Sequence, residues 1–178
     1  ASTIVGPSGH VVAFEPEDNN LACFRRTLEK GPPNIKLLSL AVGERDGTMT
    51  FDRRGGAFSG RLVAERNAAF DAVEVQVRTL DRLIAEGLPA PNLIKIDVEG
   101  GEGSVLAGGR QLLAHGRCAV LCEMHPGNNR DGVNRAFAAL KDAGYQMTLL
   151  RGGTITDPLD TDGTYHVLAR QRSTHSPR

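Results

Sequence analysis

Three short apolar runs, each closed by an acid, limit most strongly what this chain can fold into: "VVAFE" at 11–15, "LIKID" at 93–97 and "AVLCE" at 119–123. Each run is too short for a buried helix, is bounded by turn or charged residues, and reads as a strand buried on both faces. Helical periodicity lies between them. Leu21, Phe24 and Leu28 recur at helical spacing after Pro16 until Gly31-Pro32-Pro33 stops the pattern, and Val133, Phe137 and Leu140 place an amphipathic helix over 132–143, with Gly144 as its stop. Strands alternating with helices predict an α/β fold built on a doubly wound, mostly parallel sheet covered on both faces.

The remaining segments fill in this plan. Ile35 to Val42 reads as a second buried strand closed by Gly43. Asp46-Gly47 carries a two-residue hairpin signal before the alternating "TMTF", so a β-hairpin insertion is expected there. Residues 53–70, rich in glycine and charge, read as a loop suited to contacting a substrate. "VEVQVRTL" at 73–80 alternates as a half-exposed strand should, and Asp81 to Glu86 forms a short helical turn. Ser104 to His115 reads as one helix ended by Gly116. Strands near 145–150 and 164–169 follow, the last of them antiparallel, before a polar, disordered tail at 171–178. One domain over 1–170 is expected, with no internal repeat.

The chain has 178 residues, ample for a core without disulfide staples, and its 21 basic residues balance 21 acidic ones. With no global field to draw it to nucleic acid or an anionic membrane, a small or neutral partner is expected. No apolar run reaches the ~18 residues of a membrane span. Cys118 and Cys122 share one strand, about 13 Å apart at about 3.3 Å per residue, beyond disulfide reach. Reduced thiols and a cytoplasmic setting follow.

Open α/β sheets bind ligands at the carboxyl ends of their strands, where these acids stand. Glu15 suits a ribose, whose vicinal hydroxyls donate to a carboxylate, or else stabilises the start of the helix that follows. Asp97 and Glu99 suit a general base, a metal ligand or a cofactor contact, with Gly100-Gly101 allowing close backbone approach, or else begin the next helix. His125, before Pro126-Gly127, is a candidate base with an ordinary pKa near neutrality, or simply a solvated loop histidine. Glu123 stands beside it. His10, His115, His166 and His175 have no comparable address. Asp97, Glu99, Glu123 and His125 offer donors suited to magnesium or manganese if they converge, but nothing in their spacing forces that, and no metal is expected.

"GPSGHVVAFEPEDNN", "LSLAVGERDGTMTF", "VQVRTLDRLI", "LIKIDVEGGEGSVLAGGRQLL" and "AVLCEMHPG", in that order, resemble the FkbM family of S-adenosylmethionine-dependent methyltransferases across roughly residues 6–150. The resemblance implies a class I methyltransferase sheet and O-methylation of a hydroxyl on a small molecule or glycan. It puts Glu15, with Pro16 beside it, at the cofactor's ribose, and Ala41 and Val42 near its adenine. It puts Asp97 and Glu99 at the methyl group and acceptor, Asp97 also touching the cofactor, and Glu123 and His125 in the acceptor pocket. In the family a first strand and a glycine-rich loop precede the block starting at Gly6. Residues upstream of Ala1 are therefore expected, and the chain without them is expected to hold the cofactor weakly. Two other classes fit parts of the pattern: an NAD-dependent oxidoreductase, whose ribose an acid at this strand end also reads, and a non-catalytic binding module that kept the scaffold.

Overall fold

The computed structural model describes residues 2–53, 61–63, 71–153, 157–159 and 163–171. The chain divides into two compact units, Ala1–Val42 with Asp46–Val77, and Gly43–Arg45 with Arg78–Arg178.

The first unit runs α1 (Ser2–Val5), β1 (Val11–Phe14), α2 (Asp18–Glu29), β2 (Ile35–Leu38), β3 (Ala41–Val42), β4 (Gly47–Asp52), β5 (Arg61–Val63) and β6 (Ala72–Arg78). β1 and β2 pair in parallel from Val11↔Ile35 to Phe14↔Leu38, and α2 supplies the crossover such a pair requires. Glu17 starts α2: its buried carboxylate accepts from the Asn20 amide at 2.9 Å, and Leu21 anchors the inward face. A second sheet, in the order β3-β6-β4-β5, closes over Ala41, Phe51, Val75 and Val77, while Glu74 and Gln76 alternate outward.

Two expectations change here. The apolar run from Ile35 to Val42 is two strands in two sheets, broken by a bend at Ser39-Leu40. Asp46-Gly47 does not close a two-residue hairpin, because Gly47 pairs with the distant Val77 and β4 lies between β5 and β6. Part of the loop at 53–70 is strand β5, and its residues 54–60 and 64–70 lie outside the described ones.

The second unit runs α3 (Leu80–Ala85), β7 (Leu93–Ile96), α4 (Glu102–Ala107), α5 (Arg110–Ala114), β8 (Ala119–Met124), α6 (Arg130–Asp142), β9 (Tyr145–Leu149) and β10 (Tyr165–Gln171). Its sheet has the order β7-β8-β10-β9. β7 and β8 are parallel, and β10 inserts antiparallel between β8 and β9, as expected of the last strand. Val120, Cys122 and Met124 of β8 are fully buried. α4 packs on β8 and on α6 through two glycines; a Cβ on Gly103 would lie 2.5 Å from the Gly132 carbonyl oxygen and 2.8 Å from Arg135 Cβ. The Tyr145 hydroxyl donates to the Cys118 carbonyl at 2.7 Å, tying β9 to the start of β8.

The doubly wound, mostly parallel sheet is corrected to an α/β arrangement of mixed sheets: the insertion forms a sheet of its own, and antiparallel β10 supplies two of the three pairings in the second unit. The helix expected over 104–115 is two helices parted at Gly108-Gly109, with Asp81 accepting from the Gln111 and Leu112 amides at the start of the second. β7 is not buried on both faces: Leu93 and Lys95, which share one face, are exposed, and Ile94 and Ile96 turn to the other, with Ile96 buried. β10 extends to Gln171, whose side-chain amide donates to the carbonyls of Leu113 and Ala143; the rest of the expected tail lies outside the described residues.

Candidate active site

The parallel register Ile96↔Cys122 brings the C-terminal ends of β7 and β8 level, so Asp97 and Glu123 come next on neighbouring strands. Antiparallel β10 sets His166 opposite Glu123, and its Nε2 stands 3.2 Å from Glu123 Oε2. Beyond the strands, two loops close on each other. Asn128 donates to Glu99 Oε2 at 2.9 Å, and Asn129 donates to the Gly100 carbonyl at 2.8 Å while also capping α6 through the Gly132 amide. The Asn128 and Asn129 amides both return to the His125 carbonyl at 3.0 Å.

His125 sits at the centre, its side chain 7% exposed. Its Nδ1 lies 2.6 Å from Glu102 Oε1, which also accepts from the Gly100 amide at 3.0 Å. Nε2 faces three carboxylates: Glu99 Oε1 at 3.7 Å, Glu123 Oε1 at 3.9 Å and Asp97 Oδ1 at 4.0 Å. The other Asp97 oxygen pairs with Lys95, whose Nζ also lies 3.8 Å from Glu123 Oε2. Glu99 adopts a left-handed backbone, φ 53°, followed by Gly100 at φ 103°. A non-glycine residue there costs of order 1–3 kcal/mol and persists where its surroundings over-determine it.

These contacts set the protonation of the group. The hydrogen bond to Glu102 raises the His125 pKa, against burial, which lowers it, and the charges of Glu102, Glu99 and Glu123 add to the rise. Burial pushes Asp97 upward, but the hydrogen bond and charge of Lys95 outweigh it and hold the carboxyl below the usual range. The cluster therefore offers an ionised carboxylate beside an imidazole fixed in orientation, a combination suited to accepting a proton from an alcohol.

Asp97, Glu99, Glu123 and His125 thus come together in the second unit. Glu15, Pro16, Ala41 and Val42 belong to the first. Glu15 follows β1, half-buried, and its Oε1 accepts from the Glu17 amide at 2.9 Å; helix capping falls to Glu17. Oε2 has no hydrogen-bond partner among the described residues. Pro16 and Val42 are half-buried, whereas the Ala41 side chain lies in the apolar cluster with Phe51, leaving its backbone for any contact. Sequence reasoning gave no role to Glu102, Asn128, Lys95 or His166. The signal for Glu102 was an acid two residues after Gly100, next to a helix start; its partner lies 23 residues away.

Residues 1–147 match the methyltransferase FkbM domain. The 2-O-methyltransferase NoeI of Sinorhizobium fredii is 30% identical over 128 residues, 62% of this chain and 52% of NoeI. The hexuronic acid methyltransferase AglP of Haloferax volcanii is 24% identical over 139 residues, 78% of this chain and 56% of AglP. The chain thus spans about half the length of the curated relatives it matches. The crystal structure of a methyltransferase FkbM from Methylobacillus flagellatus KT superposes with a TM-score of 0.55 at 21% identity, over 90% of this chain and 36% of that one. A precorrin-6y C5,15-methyltransferase from Geobacter metallireducens GS-15 superposes at 0.51 and 17%, over 93% and 69%. At such identities these two likenesses speak to the α/β fold alone. Because the domain match spans most of its length, the chain belongs to the methyltransferase FkbM family.

Proposed function

We propose that the chain carries the catalytic side of an S-adenosylmethionine-dependent O-methyltransferase acting on a sugar or other glycan hydroxyl. The observation that carries the reading is the buried Glu102–His125 pair, whose free imidazole nitrogen faces Asp97, Glu99 and Glu123 at the ends of β7 and β8. Family membership supports methyl transfer, and the names of NoeI and AglP point to oxygen and to a uronic acid as acceptors for those relatives.

The residues fit the cofactor at the position open to test. Glu15 has one oxygen tied to the Glu17 amide and one uncommitted, which suits a vicinal diol such as a ribose. Pro16 and Val42 are the other residues of the first unit that family membership gives to the cofactor. When bound, the sulfonium supplies an electrophilic methyl group. The chain's own task is to align the alcohol, tolerate positive charge nearby and take the hydroxyl proton. Asp97 and Glu99 provide the negative field. His125, held by Glu102, takes the proton at Nε2, and Glu123 orients the acceptor. Three free cysteines accord with a reducing, cytoplasmic setting, and no described helix is long and apolar enough to cross a membrane.

Incubation with methyl-tritiated adenosylmethionine and a panel of hexoses and uronic acids tests this. The expected product carries label as an acid-stable O-methyl ether, and Asp97→Asn lowers its yield about 100-fold or more. Undiminished transfer in Asp97→Asn and His125→Asn would place the chemistry elsewhere. Intact folding with no label on any alcohol would favour the non-catalytic module.

A further inference from the structure

We infer that Asp97, Glu99 and His125 bind one divalent cation of the manganese class, with Lys95, Asn128 and Glu102 holding those ligands from behind. Spacing along the chain gave no reason to expect a metal; the loops after β7 and β8 supply it. One donor atom from each of the three residues lies within 4.8 Å of the others. Two atoms bound at about 2.1 Å to the same ion sit about 3.0 Å apart at right angles and about 4.2 Å apart when opposed. The separations of His125 Nε2 from Glu99 Oε1, 3.7 Å, and from Asp97 Oδ1, 4.0 Å, fall inside that range and outside hydrogen-bond reach.

A second observation concerns the imidazole. The His125 side chain is 93% buried, as its 7% exposure gives by subtraction from 100%, yet Nε2 makes no hydrogen bond among the described residues and is aimed into the group. Its opposite nitrogen is bound by a fully buried glutamate, the carboxylate–histidine arrangement that orients an imidazole toward a metal. The two acids repeat the pattern. Asp97 gives Oδ2 to Lys95 and keeps Oδ1 inward; Glu99 gives Oε2 to Asn128 and keeps Oε1 inward. Glu123 is the exception, since Oε2 is shared between His166 and Lys95 and it stands outside the triplet. Two carboxylate oxygens with one imidazole nitrogen suit the overlap between hard cations and imidazole-binding transition metals, which is where Mn2+ falls.

An imidazolium resting among carboxylates would share these contacts, and the two states are exclusive, because an ion occupies the Nε2 lone pair that a proton would take. If methyl transfer is the reaction, a bound ion would acidify the acceptor hydroxyl and His125 would serve as ligand instead of base. That consequence rests on the proposed function, whereas binding does not.

The test is Mn2+ titration of the whole chain after removal of metals with EDTA, following loss of the free-ion electron paramagnetic resonance signal. One site per chain is expected. Asp97→Asn and His125→Asn should each weaken it about tenfold or more, Glu102→Gln should weaken it by about tenfold while far-UV circular dichroism stays native, and Glu29→Gln, on α2, should leave it unchanged. Asp97 is 40% exposed, so its variant is expected to fold and keeps the test open if His125→Asn does not. No binding at millimolar Mn2+, or binding indifferent to Asp97→Asn, would overturn the inference, whatever the methyl-transfer assay gives.

Discussion

Glu102 is completely buried, and one of its oxygens, Oε2, has no hydrogen-bond partner among the described residues, so the other, which serves His125 and Gly100, carries its hydrogen bonding. Removing one partner of a buried pair exposes the full desolvation penalty of the other, about 3–5 kcal/mol. Glu102→Ala should accordingly lower the unfolding free energy measured by urea titration by that much, whereas Glu102→Gln, which can still accept from both donors, should lose clearly less. Equal losses in the two variants would show that shape rather than the hydrogen bonds matters there. The cysteines give a second residue-scale expectation. Burial pushes the Cys118 thiol up to about 11 and that of Cys122 well above its ordinary range, while Cys23 is exposed. Since the thiolate is the nucleophile, Ellman's reagent at pH 8 should titrate one thiol in the native protein and three after denaturation. Asp97, Glu99 and His125 were legible as candidates because strand ends are readable from an apolar run that stops at an acid. Glu102 was not, because nothing local says that the loop of Asn128 and Asn129 folds back over it.

Among the elements, the contact between α4 and α6 is set by glycine. Alanine at Gly103 would put a methyl group 2.5 Å from the Gly132 carbonyl oxygen, and both helices have backbone at that point. Overpacking of this kind costs about 1–3 kcal/mol. For a domain of this size each kcal/mol shifts the melting temperature by roughly 2–4 °C, so a fall of roughly 2–12 °C is expected for Gly103→Ala by calorimetry. Alanine at Gly144, where no heavy atom lies within 4 Å but φ is 79°, should cost backbone strain alone. The helices α2 and α6 and the strands β1, β7 and β8 were legible because each satisfies its own period. The break at Ser39-Leu40 was not, since a strand that changes sheets leaves no mark in an apolar run, and Gly47 took its partner from Val77 across β6 instead of from the local turn.

At the level of the whole molecule, acidic and basic residues cancel and the isoelectric point falls near 7.2. Proteins without net charge lose colloidal repulsion, so solubility should pass through its minimum close to that pH and rise on either side, as measured by ammonium sulfate precipitation at stepped pH. Family and fold class were legible at this scale from the order of motif blocks, which is why the domain match was anticipated. The mixed character of the sheets was not, because strand direction depends on connections that sequence alone leaves free.

Among the described residues β7 is hydrogen-bonded on one side only, which gives Lys95 a second duty. Its amide and carbonyl groups form a template on which another chain could lay a strand, and Leu93 beside it adds an apolar attraction. A charged residue on an edge strand opposes such stacking, and Lys95, half-exposed, is the ionic residue of β7. Lys95→Leu should therefore turn a species of uniform sedimentation into a concentration-dependent ladder of larger ones; a single unchanged boundary would mean that the border is guarded by something else.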